Sequence, residues 1–169
     1  MPANFDPLPI PRFDQSLLSY LDRSFQRIRQ ALAYVEANLA VAPKIAEITT
    51  HEFTNSAVYV DLATTGPSVT IRTRTSVACI MSAQITGGGV ATNCNIGIAV
   101  SGATTIGAGA APSTFFMNDA NALGNWQLGS MCLFTTLNPG ENTFKLMYAT
   151  GGANIGFLKR RLLVIPMKA

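Results

Sequence analysis

The sequence predicts a mainly β protein: an N-terminal extended arm and a single coiled-coil helix, followed by an antiparallel β-sandwich of jelly-roll type. Three observations carry the prediction. Apolar and polar residues alternate through most of residues 44–169, the period-two mark of strands with one buried face. Only Leu17 to Leu39 carries a long helical apolar stripe. Four prolines (Pro2, Pro7, Pro9 and Pro11) crowd residues 1–13, and such a segment runs extended because proline fixes φ and lacks a backbone donor. Composition agrees. Hydrophobic residues make up 48% and charged residues only 12%, which suits a β-rich domain with a sizeable core.

The arm, residues 1–13, spaces Phe5, Leu8, Ile10 and Phe13 along an extended chain. These apolar groups are too few for a core and too many for a purely solvated tail, so the arm is expected to dock in a groove of another protein. No charged segment followed by an apolar run opens the sequence, so a signal peptide is not expected. No stretch approaches the ~18 apolar residues of a membrane span.

The helix is expected over residues 14–40, with Asp14 as N-cap and "VAP" (Val41 to Pro43) as its stop. Its stripe is Leu18, Leu21, Phe25, Ile28, Leu32, Val35 and Leu39. Those residues recur in alternating steps of three and four, a heptad with apolar a and d positions. Packing across its own β-domain would call for a wider stripe with a 3.6-residue period. The strict seam, with small or neutral Ser24, Ala31 and Asn38 beside it, favours association with further copies. Ile28 and Val35 at d with Leu18 and Leu32 at a disfavour a parallel dimer and move preference to trimers or tetramers, the trimer being the expected state.

The β-zone shows its alternation best in "SVTIRTRTSVACIMSAQI" (Ser68 to Ile85), where Val69, Ile71, Val77, Cys79, Met81 and Ile85 share one parity. Similar runs are "AEITTHEF", "AVYVDL", "CNIGIAV", "STFFMN", "WQLGSMCLF", "NTFKLMYA" and "RRLLVIPM", separated by Gly-, Pro- and Asn-rich turn signals. Short strands at this spacing predict a sandwich or jelly roll. The glycines of "ITGGGVA" and the turn at Gly140 are read as hairpin tips. Pro166 is read as placing the last strand at a sheet edge.

Catalytic chemistry finds no foothold in these residues. His51 is the single histidine. It has no GxSxG partner motif and is read as a strand-surface residue. Acidic residues are scattered, without the facing pair of a glycosidase or the spacing of a calcium loop. The glycine runs lack the lysine and following helix of a phosphate cradle. Cys79, Cys94 and Cys132 lack metal-ligand spacing and are read as buried free thiols. No enzyme activity, metal or cofactor is therefore expected. The net charge of +3 is too small and too dispersed for nucleic-acid binding. Arg23, Arg27 and Arg29 are read as a solvated helix face, and Lys159, Arg160 and Arg161 as strand punctuation. Trp126 is read as a core anchor beside a turn.

"LNPGENTFKLMYATGGANIGFLKRRLLVIPM" (Leu137 to Met167) resembles the closing strands of small structural proteins of tailed phages, those of actinobacteria in particular. The shared pattern is Gly140, Asn142, Phe144, Leu146 and Tyr148, a glycine-rich turn, then Arg160, Arg161, Leu162, Val164, Ile165 and Pro166. "SYLDRSFQRIRQAL" resembles the helix that opens such proteins. The resemblance implies a virion surface protein made in the host cytoplasm, in a minor-tail, head-fibre or capsid-decoration role. Its expected partners are further copies of itself and, through the arm, a major capsid or tail protein. The competing expectation is a tail protein whose β-head binds a receptor or glycan. A cellular trimeric ligand and a hydrolase fit less well, the one for want of a signal or anchor, the other for want of an acid pair or triad.

Overall fold

A computed structural model describes residues 16–38, 41–88, 92–109, 114–119 and 123–167. The chain divides into two compact units, Met1–Ala40 and Val41–Ala169. In the first, helix α1 spans Ser16–Asn38. No described helix is long and apolar enough to cross a membrane. The arm residues Phe5, Leu8, Ile10 and Phe13, the expected cap Asp14 and the last seam residue Leu39 lie outside the described residues.

The second unit holds nine strands among its described residues: β1 (Lys44–Ile48), β2 (Glu52–Thr54), β3 (Ser68–Thr73), β4 (Val77–Gly88), β5 (Thr92–Gly102), β6 (Thr114–Asp119), β7 (Leu123–Phe134), β8 (Gly140–Thr150) and β9 (Ile155–Pro166). One sheet runs β1-β9-β4-β7, with β2 also paired to β9; the other runs β3-β8-β5-β6. Every described ladder is antiparallel. The pairings β1–β9, β3–β8, β4–β7 and β5–β6 nest one inside the next. A single antiparallel ribbon rolled onto itself produces this order, which is the jelly roll.

The alternation predicted for Ser68 to Ile85 holds, but across two strands. Val69, Ile71 and Thr73 face inward from β3, and Val77, Cys79, Met81, Ala83 and Ile85 from β4. The chain changes sheet between them without losing parity. Phe144, Leu146 and Tyr148 on β8 close the core from the other side, with Phe134 meeting Phe144 edge-on at 5.8 Å.

Four sequence expectations are corrected. "AVYVDL" (Ala57 to Leu62) is not a strand. It runs along β8 past the end of β3 and makes one bridge, in which Val60 and Tyr148 exchange N–H···O bonds of 2.9 and 3.0 Å. The glycine-rich turns after β4 and before β8 are not hairpin tips, because β4 and β5, like β7 and β8, lie in opposite sheets. In a rolled ribbon, consecutive strands mostly face each other across the core. Nor does Pro166 mark an edge strand, since β9 lies between β1 and β4. Met167 N–H donates to Ser76 O, so the neighbouring position, Pro166, turns its nitrogen away from β4. On that side β1 has already ended, at Lys44 opposite Val164, and no donor is needed.

The fourth correction concerns the basic run. Arg161 is exposed and Lys159 lies on the surface, but Arg160 is fully buried. Two steps on β4, from Ser82 to Gln84, match three on β9, from Arg161 to Leu158. The extra residue is a bulge, taken up where Lys159 adopts a φ of 48°. The bulge lets Arg160 and Phe157, three residues apart, both point into the core.

Candidate interaction surfaces

Strand alternation that buries one face of a sheet leaves the other to solvent, where polar residues are the norm. The outer face of the β1-β9-β4-β7 sheet departs from this. Ile45, Leu163, Ile80 and Met131 are direct cross-strand partners in one row spanning four strands. Ile165, Ala78 and Leu133 form the adjoining row. Met131 is 71% exposed and Ile45 66%. The double apolar strand pattern of "RRLLVIPM" is thus explained on one side by the core, which takes Leu162 and Val164. On the other side Leu163 and Ile165 belong to this patch. Contiguous exposed apolar surface of this kind marks interaction sites.

The next row along the face is polar. Glu47 and Arg161, cross-strand partners, form a 2.8 Å ion pair beside Ser82 and Gly129. Beyond them Gln84 stands opposite Gln127. His51 and Phe53 occupy the far corner, with ring centroids 4.5 Å apart, and His51 Nε2 is 2.8 Å from Thr86 Oγ1. Both rings lie over Gly156, where a Cβ would come within 2.3 Å of His51 Nε2 and 2.8 Å of a Phe53 ring carbon. His51 is exposed, as the sequence suggests, but it lies between β1 and β2 rather than on a strand, and Phe53 on β2 is 53% exposed.

On α1 the described part of the expected seam is uncovered. Phe25 is 60% exposed, and Leu21 and Ile28 are each 41% exposed. Leu18, Leu32 and Val35 lie on the helix, but their side chains are not among those described. The same holds for Trp126, whose backbone stands opposite Ile85 in the β4–β7 ladder.

Inside the β-unit, Arg160 makes the arrangement that sequence reasoning missed. Its Nη2 donates to Thr50 Oγ1 at 2.9 Å and to Glu52 Oε2 at 3.1 Å, and its Cζ sits 5.5 Å from the Tyr148 ring centroid. Glu52 also accepts from the Thr64 N–H and hydroxyl. Burial works to raise the Glu52 pKa, but the Thr64 bonds and the Arg160 charge outweigh it and hold the carboxyl below its ordinary value. Arg160 Nε and Nη1 and the Tyr148 hydroxyl have no described partner. The available signal was parity: in "RRLLVIP" Arg160 shares the inward register of Leu162 and Val164. The charged groups acting on Tyr148 here are the Arg160 guanidinium and the carboxylates of Asp61 and Glu52. Among the described residues no three His, Cys, Asp or Glu side chains cluster as a metal site would require.

No family model and no curated protein matches the sequence. Among solved structures, the chain is similar to a structure of infectious bursal disease virus, Gx strain, at 14% identity and a TM-score of 0.47, over 75% of this chain and 33% of that one. It is similar to the infectious bursal disease virus VP2 subviral particle at 14% identity and TM-score 0.42, over 95% and 38%. A family 35 carbohydrate-binding module from Clostridium thermocellum aligns at 15% identity and TM-score 0.34, over 75% and 99%. The chain spans little more than a third of the length of the viral chains it matches.

Proposed function

We propose that this chain is a non-enzymatic structural component of a virion surface, a homotrimer serving as capsid decoration or short head fibre. The observation that carries the reading is the helix seam: Leu21, Phe25 and Ile28, on one heptad stripe, are exposed in the single chain. Apolar a and d positions in that state call for further copies to cover them. The apolar rows on the outer sheet face add a second surface suited to protein contact. Anchorage to the particle is assigned to the arm, through Phe5, Leu8, Ile10 and Phe13 against a major capsid or tail protein. The resemblance of the closing strands to phage structural proteins points the same way. The test is immunogold electron microscopy of particles whose genome encodes the chain, using antibody to the β-unit. Labelling on the head supports decoration, and absence of label from intact particles overturns the reading.

A second reading is favoured by the His51–Phe53 corner, an exposed aromatic pair close to two facing glutamine side chains. Rings flanked by amides suit a sugar, whose apolar face stacks while its hydroxyls hydrogen-bond. Under this reading the chain is a minor tail or tail-fibre protein with a glycan-binding head. Label at the tail, together with glycan binding abolished by Phe53→Ala, would select it.

A further inference from the structure

The three cysteines are not equivalent. Cys94 lies alone on β5, in the β3-β8-β5-β6 sheet, opposite Met117 and Thr150, and burial pushes its thiol up to about 12. Cys79 and Cys132 are direct partners on β4 and β7, held there by an unbroken ladder from Val77↔Phe134 to Gly88↔Leu123. Both are free and both point inward from the same sheet. Facing residues of an antiparallel pair have Cα atoms about 4.5 or 5.5 Å apart. Both values fall within the roughly 4.4–6.8 Å that a disulfide spans.

We propose that Cys79 and Cys132 form a reversible intrachain disulfide when the protein meets a small-molecule disulfide such as oxidised glutathione. β7 is an edge strand, bonded within its sheet only to β4. Edge strands open locally without global unfolding, and such opening brings the oxidant to Cys132. Hydrogen bonding from Cys79, together with burial of that partner, makes Cys132 the first of the pair to ionise. The Cys132 thiolate attacks one sulfur of oxidised glutathione, forming a mixed disulfide and expelling one glutathione thiolate. Cys79 then loses its proton and attacks the Cys132 sulfur, expelling the second. Two cysteine thiols are oxidised and one glutathione disulfide is reduced to two thiols, so atoms and electrons balance. Cys94 has no partner within its sheet and stays reduced. The new bond fastens the β7 edge to the sheet interior.

The test uses the full chain, incubated with oxidised glutathione at mildly alkaline pH, then acid-quenched, denatured and alkylated. The expected product has lost two hydrogens, takes up one alkyl group, at Cys94, and yields a peptide linking Cys79 to Cys132. Its melting temperature rises by several degrees and returns on addition of dithiothreitol. Cys94→Ser should give the same bridge. Three alkylated cysteines after prolonged incubation would overturn the proposal, as would a glutathione adduct that persists on Cys132 or a bridge that includes Cys94.

Discussion

Glu52→Ala and Arg160→Met remove opposite halves of one ion pair, and their costs should differ. Without Glu52, a fully buried guanidinium loses its counter-charge, an error costing about 3 kcal/mol or more. Without Arg160, Glu52 keeps the Thr64 bonds and 14% of its side chain in solvent, while the methionine fills apolar space. That change should fall within about 1 kcal/mol of wild type, and urea unfolding of the two variants measures the difference. The same carboxyl sets a pH dependence. Its folded pKa lies below the ordinary value of 4.5. The stabilisation is therefore fully present above that value and fades as pH falls through the lower, folded one. The urea midpoint should drop on acidification below pH 4.5, with a shallower fall in Glu52→Gln. Equal slopes would show that other carboxylates govern the acid limb. None of this was read from sequence, because a basic triplet at a strand start looks like solvated punctuation. Only the bulge at Lys159 and the pairing of β2 with β9 reveal which arginine turns inward.

At the scale of the element, the decisive object is α1. In the proposed trimer, Phe25→Asp or Ile28→Asp places a carboxylate in each copy's seam, and repeated in every copy this costs on the order of several kcal/mol. Light scattering should show monomers or aggregates in place of the oligomer. An unchanged mass would mean that copies associate through another surface. Individual strands were legible wherever alternation was strict, as in β3, β4 and β8, because core burial enforces period two. "AVYVDL" alternates as well, yet bridges β8 only at Val60. Its apolar parity is only partly buried, with Leu62 in the core but Val58 68% exposed, so alternation in the sequence marks neither a ladder nor a continuous inward face here. Pro166 misled for a related reason: a proline needs an unpaired position, and the end of a neighbouring strand supplies one inside a sheet.

For the molecule as a whole, deleting residues 1–13 should leave a soluble, folded oligomer with unchanged thermal unfolding that no longer joins particles. Incorporation at wild-type levels, measured by gel densitometry of purified virions, would move attachment to the helix or to the apolar face of the sheet. The jelly-roll class was legible in the sequence, from strand count and turn spacing. The strand order was not, since it depends on pairings between residues more than a hundred positions apart, such as Lys44 with Val164. The apolar outer face was only half visible. Leu163 and Ile165 hinted at it, but Ile45, Ile80 and Met131 join them only once four strands are in register.

That nesting also imposes a timetable on synthesis. Pairs closed by short loops form early, and those that join distant residues wait. β5 and β6 are adjacent in the chain and can meet first. β1 leaves the ribosome before almost all of the sandwich, yet its partner β9 is the last of the nine described strands to emerge. Until β9 emerges, the β1-β9-β4-β7 sheet lacks its middle, and β4 has only β7 to hold it. The helix stands at the opposite end of the translation order and is ready from the start. In the proposed trimer, nascent chains on neighbouring ribosomes would meet through α1 while their sandwiches are still open. Loss of residues 155–169 would remove the keystone strand and leave β1, β2 and β4 without the partner they share.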